Sequence, residues 1–214
     1  MIFKNRSDAG KQLASELMIK KYNNPYILAL PRGGVIVAKE IALVLKAPVS
    51  LVITQKIGHP INPEYAIGAI SADGTMILNC NEIDNIDKGC IEKIKKIKLA
   101  EAQRRQQTYL KGRNIPDLTA HSVILVDDGL ATGLSMKLAI QIIKGKFPKK
   151  IIIAVPISSL EAYKEVKTLV DEVICLNVEQ DLQSIGEFYQ DFSQVTDVEV
   201  INTLEEVELT GKDK

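Results

Sequence analysis

Residues 123–136 read VILVDDGLATGLSM, and the order of residue types in this stretch indicates the fold. Four apolar residues at 123–126 predict a buried strand, and the two aspartates and small residues that follow predict a tight loop. The pattern then changes to that of a helix over 133–146. A buried strand that runs through a glycine-containing loop into a helix is the unit from which parallel α/β sheets are built.

Similar units occur on both sides of this stretch. Apolar runs predict strands at 26–30, 48–54, 122–126, 150–156 and 172–176. Helical patterns predict helices at 8–21, 35–46, 87–111, 133–146 and 159–170. Because the strands are apolar throughout and alternate with helices, we predict an α/β fold, an open parallel sheet covered by helices on both faces. Ser7 is the expected N-cap of the first helix.

Two parts of the chain do not follow this alternation. Residues 57–79 carry Gly, Pro, Asn and Asp between short apolar pieces, and Asp73–Gly74 is a turn signal. We predict a β-hairpin there that acts as a flexible lid. The residues from 177 onward are mixed and less regular.

The predicted elements account for residues 1–214 as a single domain. We place its core at about 25–176 and its lid at about 57–79. A small hood made from the two chain ends is expected at about 1–22 and 177–206.

Composition restricts the class of protein. Of 214 residues, 46% are hydrophobic, and 27 basic side chains balance 27 acidic ones, so a general nucleic-acid-binding function is not expected. No apolar run has the length of a membrane span or signal peptide. Cys80, Cys90 and Cys175 have no C-x-x-C spacing, which favours free thiols in a reducing compartment. We therefore expect a cytoplasmic protein with no membrane partner.

The loop after the strand at 122–126 has the features of a phosphate site. Small residues that lead into a helix expose N–H groups at the positive end of the helix dipole, and Thr132 and Ser135 add hydroxyl donors. A nucleoside-triphosphate P-loop is not expected, because no G-K-[ST] follows. The alternative is an ordinary strand–turn–helix connection in which Asp128 caps the helix.

Asp127 and Asp128 would repel a phosphate, so they need another role. Adjacent carboxylates accept hydrogen bonds from a vicinal diol or support a hydrated divalent cation. The stretch therefore indicates a ligand with a phosphate next to a sugar diol, as in a ribose 5-phosphate.

The same stretch closely resembles the phosphoribosyl-pyrophosphate (PRPP) signature of type I phosphoribosyltransferases. That signature has four apolar residues, two acidic residues, a short stretch, Thr-Gly, and a Thr or Ser two positions on. ALPRGG resembles the pyrophosphate loop of the family, and KIGHPINPEYAIGAI and GEFYQDFSQV resemble a stand-alone branch of it. The resemblance covers nearly the whole chain and is firmest from 27 to 156.

The resemblance implies a role for each matching residue. Asp127 and Asp128 match the pair that binds the ribose hydroxyls. Arg32, Gly33 and Gly34 match the pyrophosphate loop, which in the family often contains a cis peptide bond. The 5-phosphate cradle is matched by Ala131, Thr132, Gly133, Leu134 and Ser135. Lys56 stands where the family often has a basic residue that reaches the pyrophosphate, although an ordinary surface lysine is an equally open interpretation.

Two positions depart from the family pattern. Leu134 stands where the family often has glycine. Ala131 stands where 6-oxopurine enzymes have an aspartate that exchanges a proton with the base, so that mechanism is not expected here.

We therefore predict PRPP-dependent transfer of a phosphoribosyl group to a nitrogen nucleophile, such as a nucleobase, with release of pyrophosphate. The resemblance implies Mg²⁺ as cofactor, bound mainly through PRPP and water, with Asp127 and Asp128 as the only candidate protein ligands. Glu64 in the lid is a candidate proton-transfer group, although a surface or hinge position is the better interpretation. The alternative function is a non-catalytic PRPP- or nucleotide-binding regulator.

The remaining predictions concern the hood and the assembly. Phe188, Tyr189 and Phe192 could stack on the acceptor, although packing is favoured for at least two of them. Arg6 is expected to point into the site from the N-terminal arm. The predicted partners are PRPP and a small-molecule acceptor, and a homodimer is the default assembly.

Overall fold

The computed structural model describes residues 1–63, 65–83 and 86–211. Its strands form two sheets, which the helices cover. The strands are β1 (Pro25–Ala29), β2 (Val49–Leu51), β3 (Thr54–Gly58), β4 (Ala66–Ser71), β5 (Met76–Leu78), β6 (Ser122–Val126), β7 (Lys150–Ser159) and β8 (Glu172–Glu179). The helices are α1 (Arg6–Ile19), α2 (Gly33–Leu45), α3 (Cys80–Ile83), α4 (Lys88–Leu110), α5 (Leu134–Lys144), α6 (Leu160–Lys167) and α7 (Asp197–Gly211). A short 3₁₀ helix spans Ile185–Phe188.

The main sheet is parallel, with its five strands in the order β2-β1-β6-β7-β8. β1 pairs with β2 on one side and with β6 on the other, where Ala29 lies opposite Val126. The chain thus builds the sheet outward from β1 in both directions. The boundary between β1 and β6 is the topological switch point, where open α/β sheets bind their ligands.

Strand side chains alternate between two apolar layers. Ile124 and Ile152 pack into the layer formed with α1, α2 and α7, whereas Leu125 and Ile153 pack into the layer formed with α5 and α6. All four side chains are fully buried. The predicted α/β fold, with a parallel sheet and helices on both faces, is therefore confirmed.

The segment predicted as a hairpin contains three antiparallel strands in the order β3-β4-β5. The turn signal at Asp73–Gly74 does lie between β4 and β5, and Gly74 has a φ of +87°, a conformation that favours glycine. Every residue of β4 is buried, because the strand packs against α4 and also contacts α5. Within the predicted lid, residues 59–63 lie between β3 and β4 and outside any strand or helix, and Ile61, Asn62 and Pro63 are exposed.

The strand predicted at 48–54 is wrong in one respect. β2 ends at Leu51, and β3 begins at Thr54 in the other sheet. Val52 and Ile53 between them are buried, so the run stays apolar where the chain leaves one sheet for the other. Hydrophobic periodicity could not reveal the break for that reason.

The first helix packs into the core. Leu13 and Leu17 of α1 are fully buried in the layer that contains α2. The N-cap is Asn5, whose side chain accepts a hydrogen bond from the Asp8 N–H, so the prediction of Ser7 as the cap is wrong. The Ser7 hydroxyl instead donates to Glu40 at 2.6 Å.

α7 is a helix that sequence analysis did not predict. It packs against α2 and β2, with Val200 fully buried. A local signal was present, because Thr196 and Glu199 form a capping box in which each side chain accepts a hydrogen bond from the backbone N–H of the other.

The remaining parts of the two chain ends form the hood cluster, which we define as residues 1–5 and 182–193. Phe3 and Tyr189 form a parallel β-bridge, and the Phe3 N–H donates to the Phe188 carbonyl at 2.8 Å. Phe3 and Tyr189 also pack against Ile157 of β7. The hood cluster is thus narrower than the hood predicted at 1–22 and 177–206.

Among the described residues, no helix combines the length and the apolar character that a membrane span needs.

We predict that Val200→Ala lowers the free energy of unfolding by about 1–3 kcal/mol, because it removes buried methyl groups that hold α7 on the core. Val198→Ala is the matched control in the same helix. Val198 is 63% exposed, so its substitution should cost less than about 0.5 kcal/mol. Urea denaturation would measure both variants, and equal destabilisation would contradict the docking of α7.

Candidate functional site

The candidate site lies at the switch point, where the chain leaves β1 and β6 on the same edge of the sheet. β1 leads through Arg32 into α2, and β6 leads through Asp127 and Asp128 into the loop before α5. Two helix N-termini, those of α2 and α5, therefore begin at this edge. Their free N–H groups and dipoles favour anions.

The start of α2 touches the acidic pair. A β-carbon at Gly33 would lie 1.8 Å from Oδ2 of Asp128, and one at Gly34 would lie 2.9 Å from Cα of Asp127. Both distances are too short for any side chain larger than hydrogen. At Gly34 the nearest atoms belong to the backbone, so a β-carbon cannot be accommodated, whereas at Gly33 it would displace the side chains of Asp128 and Arg6.

The peptide bond between Pro31 and Arg32 is cis, as the resemblance implied for the pyrophosphate loop. Arg32 lies at the N-cap position of α2. Its Nη1 is 3.7 Å from Oδ1 of Asp197, which is beyond hydrogen-bonding distance. Within the described part of the chain, the Arg32 guanidinium makes no hydrogen bond and can receive an anion.

Asp197 has two closer partners. Oδ1 accepts a hydrogen bond of 2.5 Å from the Tyr109 hydroxyl, and Oδ2 accepts one of 2.8 Å from Arg104. These bonds, that of Tyr109 first, lower the pKa of the Asp197 carboxyl. Burial and the bond to Asp197 raise the pKa of Tyr109 to about 12. Sequence analysis missed this group because its members come from α4 and α7.

Each acidic side chain uses one carboxylate oxygen within the protein. Oδ1 of Asp127 accepts a hydrogen bond from the Asp128 N–H at 2.8 Å, and Oδ2 of Asp128 accepts one from Nε of Arg6 at 2.7 Å. Among the described residues, no N–H or hydroxyl donor bonds the second oxygen of either carboxylate, although the two carboxyls are close enough to share a hydrogen bond with each other. One oxygen on each side chain is thus available to a ligand.

Burial of its carboxyl is the main cause that raises the pKa of Asp127 well above the ordinary range, and the charge of Asp128 adds to it. The positive charge of Arg6 lowers the pKa of Asp127, but its effect is smaller than that of burial. The pair therefore holds its negative charge at a cost that a hydroxyl donor or a cation would reduce.

Arg6 does lie at the site. Its guanidinium pairs with Asp128 and donates from Nη1 to the carbonyl of Ser193 at 2.8 Å. It also lies over the Phe192 ring, with Cζ at 3.8 Å from the centroid. The first residue of α1 and the hood cluster thus reach the acidic pair together.

Tyr189 also contacts Asp128, because its hydroxyl donates to the main-chain carbonyl of Asp128 at 2.7 Å. Burial is the main cause that raises the pKa of this tyrosine, so it stays a neutral donor. Its ring stacks on Phe192 at 4.9 Å between centroids. Tyr189 is therefore a packing residue, and Phe192 already has Arg6 and Tyr189 as ring partners.

The loop that follows the acidic pair is open to solvent. Ala131 and Thr132 are exposed, and Gly133, with a φ of +69°, forms the N-cap of α5. No acceptor among the described residues receives a hydrogen bond from the N–H groups of residues 131–136. The predicted cradle residues, including Leu134 and Ser135, therefore present free donors.

β7 holds this loop in place. Leu130 and Ser158 form an isolated β-bridge, and the Ser159 hydroxyl donates to the Ala131 carbonyl at 2.7 Å. The Ser159 hydroxyl also accepts from the Ala162 N–H and so caps α6. Sequence analysis did not identify Ser159, because its contacts join positions that are far apart in the chain.

For two predicted catalytic residues, Lys56 and Glu64, the structure gives no contact that tests the assigned role. Lys56 lies in β3 opposite Ala69 of β4 and is partly exposed. Glu64 lies outside the described residues. Both assignments remain predictions.

The sequence profile of the phosphoribosyl transferase domain matches residues 2–191. A protein of Mycobacterium tuberculosis strain H37Rv, named "Putative phosphoribosyl transferase Rv0571c", is 36% identical over 206 residues. The match covers 95% of this chain and 46% of the relative, so the chain spans about half the length of the curated relatives that it matches.

Solved structures show the same fold. The protein TT1426 from Thermus thermophilus superposes with a TM-score of 0.78 at 36% identity, over 96% of this chain and 99% of that one. AQ2163 from Aquifex aeolicus shares the fold with a TM-score of 0.52 at 15% identity, over 85% of this chain and 78% of that one. As the resemblance of residues 123–136 predicted, the chain belongs to the phosphoribosyltransferase family and has its type I fold.

Proposed function

We propose that the chain binds PRPP and transfers its phosphoribosyl group to a nitrogen nucleophile, such as a nucleobase, with release of pyrophosphate. The observation that carries this proposal is the order in which three groups lie next to one another at the sheet edge. The loop at 131–136 adjoins the acidic pair Asp127–Asp128, and the pair touches the turn at 32–34. PRPP presents its 5-phosphate, ribose diol and pyrophosphate in the same order.

The 5-phosphate would bind the loop. The free N–H groups of residues 131–136 and the dipole of α5 suit a dianion, and Thr132 and Ser135 can add hydroxyl donors. The side chain of Leu134 does not prevent this, because the donor is its backbone. The tether from Ser159 keeps the loop in its open geometry.

The ribose diol would bind the acidic pair. One available oxygen on Asp127 and one on Asp128 can accept the two hydroxyl hydrogens, while the other oxygens keep their protein partners. This arrangement would explain why carboxylates adjoin a phosphate site, because the ribose would lie between the acidic pair and the 5-phosphate.

Mg²⁺ is the cofactor that the family resemblance implies, and the available donors fit it. Carboxylate oxygens are hard ligands of the kind that Mg²⁺ accepts. No group of three or more His, Cys, Asp and Glu side chains that could hold a metal occurs in the described ranges. Phosphate and water oxygens would therefore complete the shell, as is usual for Mg²⁺. When bound, the ion would neutralise charge on the pyrophosphate.

In the proposed reaction, the bond from C1 to the pyrophosphate oxygen breaks, and its electron pair stays on the leaving oxygen. The lone pair of the acceptor nitrogen forms the new C1–N bond. Negative charge therefore grows on the pyrophosphate. The guanidinium of Arg32, which has only a long ion pair of 3.7 Å with Asp197, and the N–H groups at the start of α2 would stabilise that charge.

The acceptor would lie beneath the hood cluster. Ala131 provides no carboxylate at the base side, so a proton leaving the acceptor nitrogen would pass to water or to another group. Glu64 is our proposed candidate, and Lys56 is proposed as a second contact to the pyrophosphate. Closure of the loop at 59–63 would keep water from C1.

Location and assembly belong to the same proposal. Among the described residues, Cys90 and Cys175 are free thiols, which supports a reducing, cytoplasmic location. The proposed partners are small molecules, with a homodimer as the default assembly.

The proposal is tested by measuring PRPP binding and pyrophosphate release with Mg²⁺ and a panel of purine and pyrimidine bases. We expect PRPP to raise the unfolding temperature and at least one base to trigger release. PRPP binding without release for any base would favour the non-catalytic regulator instead.

We predict that the double variant Asp127→Asn/Asp128→Asn weakens PRPP binding at least tenfold, since bonds to charged acceptors contribute roughly 1.5–3 kcal/mol each. Glu16→Gln, a change at an exposed acid of α1, is the matched control and should bind normally. Calorimetric titration gives both affinities. Unchanged binding by the double variant would refute the sugar assignment.

A further prediction concerns pH and stability without ligand. Because the pKa of Asp127 is raised in the folded state, the wild-type protein should lose stability as pH rises from the unfolded value of about 3.9 through the folded pKa. Asp127→Asn carries no such charge. Its unfolding free energy relative to wild type should increase over that pH range and then level off.

Urea denaturation at a series of pH values, in chelator and without PRPP, measures this difference. Glu16→Gln is again the control, because Glu16 is exposed. A stability difference that does not change with pH would show that Asp127 titrates as an ordinary carboxyl.

A further inference from the structure

We propose that Arg6 is a positioning residue for Asp128, so that the hood cluster at the two chain ends sets the geometry of the ribose site. The inference rests on the proposed function, because it assigns a task to Arg6 within the same site. It goes further by making residues that do not touch the sugar responsible for how the sugar is held.

The Arg6 guanidinium is held by three groups. Nε donates to Asp128, Nη1 donates to the Ser193 carbonyl, and the flat face lies on the Phe192 ring. The Arg6 side chain is only 11% exposed. A planar guanidinium held at its edge and its face has little freedom to rotate, unlike the flexible ammonium of a lysine.

This fixed cation determines the orientation of the Asp128 carboxylate. Oδ2 points at Arg6, which leaves Oδ1 as the oxygen that can receive a hydroxyl. The Asp128 main chain is held as well, because its carbonyl accepts from Tyr189 and its N–H donates to Asp127. Arg6 and, from the hood cluster, Tyr189 therefore act on Asp128 at two atoms, and Asp128 passes the constraint to Asp127.

Charge gives a second reason for this assignment. Asp127 and Asp128 are adjacent like charges, and repulsion between them favours rotation of Asp128 toward solvent. A cation on the far oxygen of Asp128 opposes that rotation and keeps both carboxylates directed to one ligand. Arg6 has its Nε, its Nη1 and one face engaged, and we assign its effect to the Asp128 carboxylate that its Nε contacts.

The test compares two probes. Ribose 5-phosphate carries the diol and the phosphate, whereas inorganic phosphate has no sugar diol and reports only on the anion sites at 131–136 and 32–34. Both would be titrated calorimetrically into wild type, Arg6→Gln, Arg6→Lys, Asp128→Asn and the double variant Arg6→Gln/Asp128→Asn. Arg113→Gln is the matched control, because Arg113 is an exposed arginine whose ion pair with Glu208 lies outside the site.

We expect Arg6→Gln to weaken ribose 5-phosphate about tenfold, which corresponds to ~1.4 kcal/mol. Inorganic phosphate should bind with unchanged affinity, a result that a general loss of structure would not give. Arg6→Lys, which restores the charge without the fixed geometry, should recover part of the loss. In the Asp128→Asn background, Arg6→Gln should cost less than about twofold, because the residue it positions is already changed.

Three results would overturn the inference while leaving the proposed function intact. They are wild-type affinity of Arg6→Gln for ribose 5-phosphate, tighter binding by that variant, and an equal loss in the Asp128→Asn background. If wild type itself fails to bind ribose 5-phosphate and PRPP, the proposed function fails and takes the inference with it.

A second variant keeps the test decisive if Arg6→Gln does not fold. Tyr189→Phe removes only the hydroxyl that holds the Asp128 carbonyl. It should weaken ribose 5-phosphate about threefold, the effect of one neutral hydrogen bond, and should leave inorganic phosphate binding unchanged. An unchanged affinity for the sugar phosphate in both Tyr189→Phe and Arg6→Lys would overturn the inference.

Discussion

The close approach of the start of α2 to the end of β6 is the constraint on which the candidate site depends. Parallel pairing of β1 with β6 brings their carboxyl ends to one edge, opposite in register at Ala29 and Val126. A β-carbon would overlap backbone atoms at Gly34 and would displace the Asp128 side chain at Gly33. Two helix N-termini and two carboxylates thereby share a small volume, and their opposite electrostatic demands fit a ligand with both anionic and hydroxyl groups.

Local patterns were sufficient for most of the main sheet and for one side of the site. The strand at 122–126 and the loop at 127–133 can be predicted because an apolar run, an acidic pair and a small-residue loop are adjacent in the sequence. The turn at 32–34 could be assigned to the same edge because strand ends meet there in a parallel sheet. Such inferences need only neighbouring residues and one topological rule.

Other features depend on contacts between distant positions and have no local signal. The pairing of Arg6 with Asp128 spans 122 positions, and nothing in KNRSD identifies its partner. The exit of the chain from the main sheet after Leu51 was hidden because the run stays apolar into the second sheet. α7 is different, since the capping box at Thr196 and Glu199 was readable and its helix could have been predicted.

The hood cluster also bears on the order in which the molecule is assembled during synthesis. Arg6 and Ser193 are 187 positions apart, and contacts of such sequence separation form late, after the cost of closing a long loop has been met. A nascent chain can pair β1 with β6 and bury the layer formed with α5 and α6 before Ser193 is available to hold Arg6 on Asp128. The sheet would therefore be complete before the acidic pair is oriented, and a growing chain would gain its fold earlier than the geometry of its candidate site.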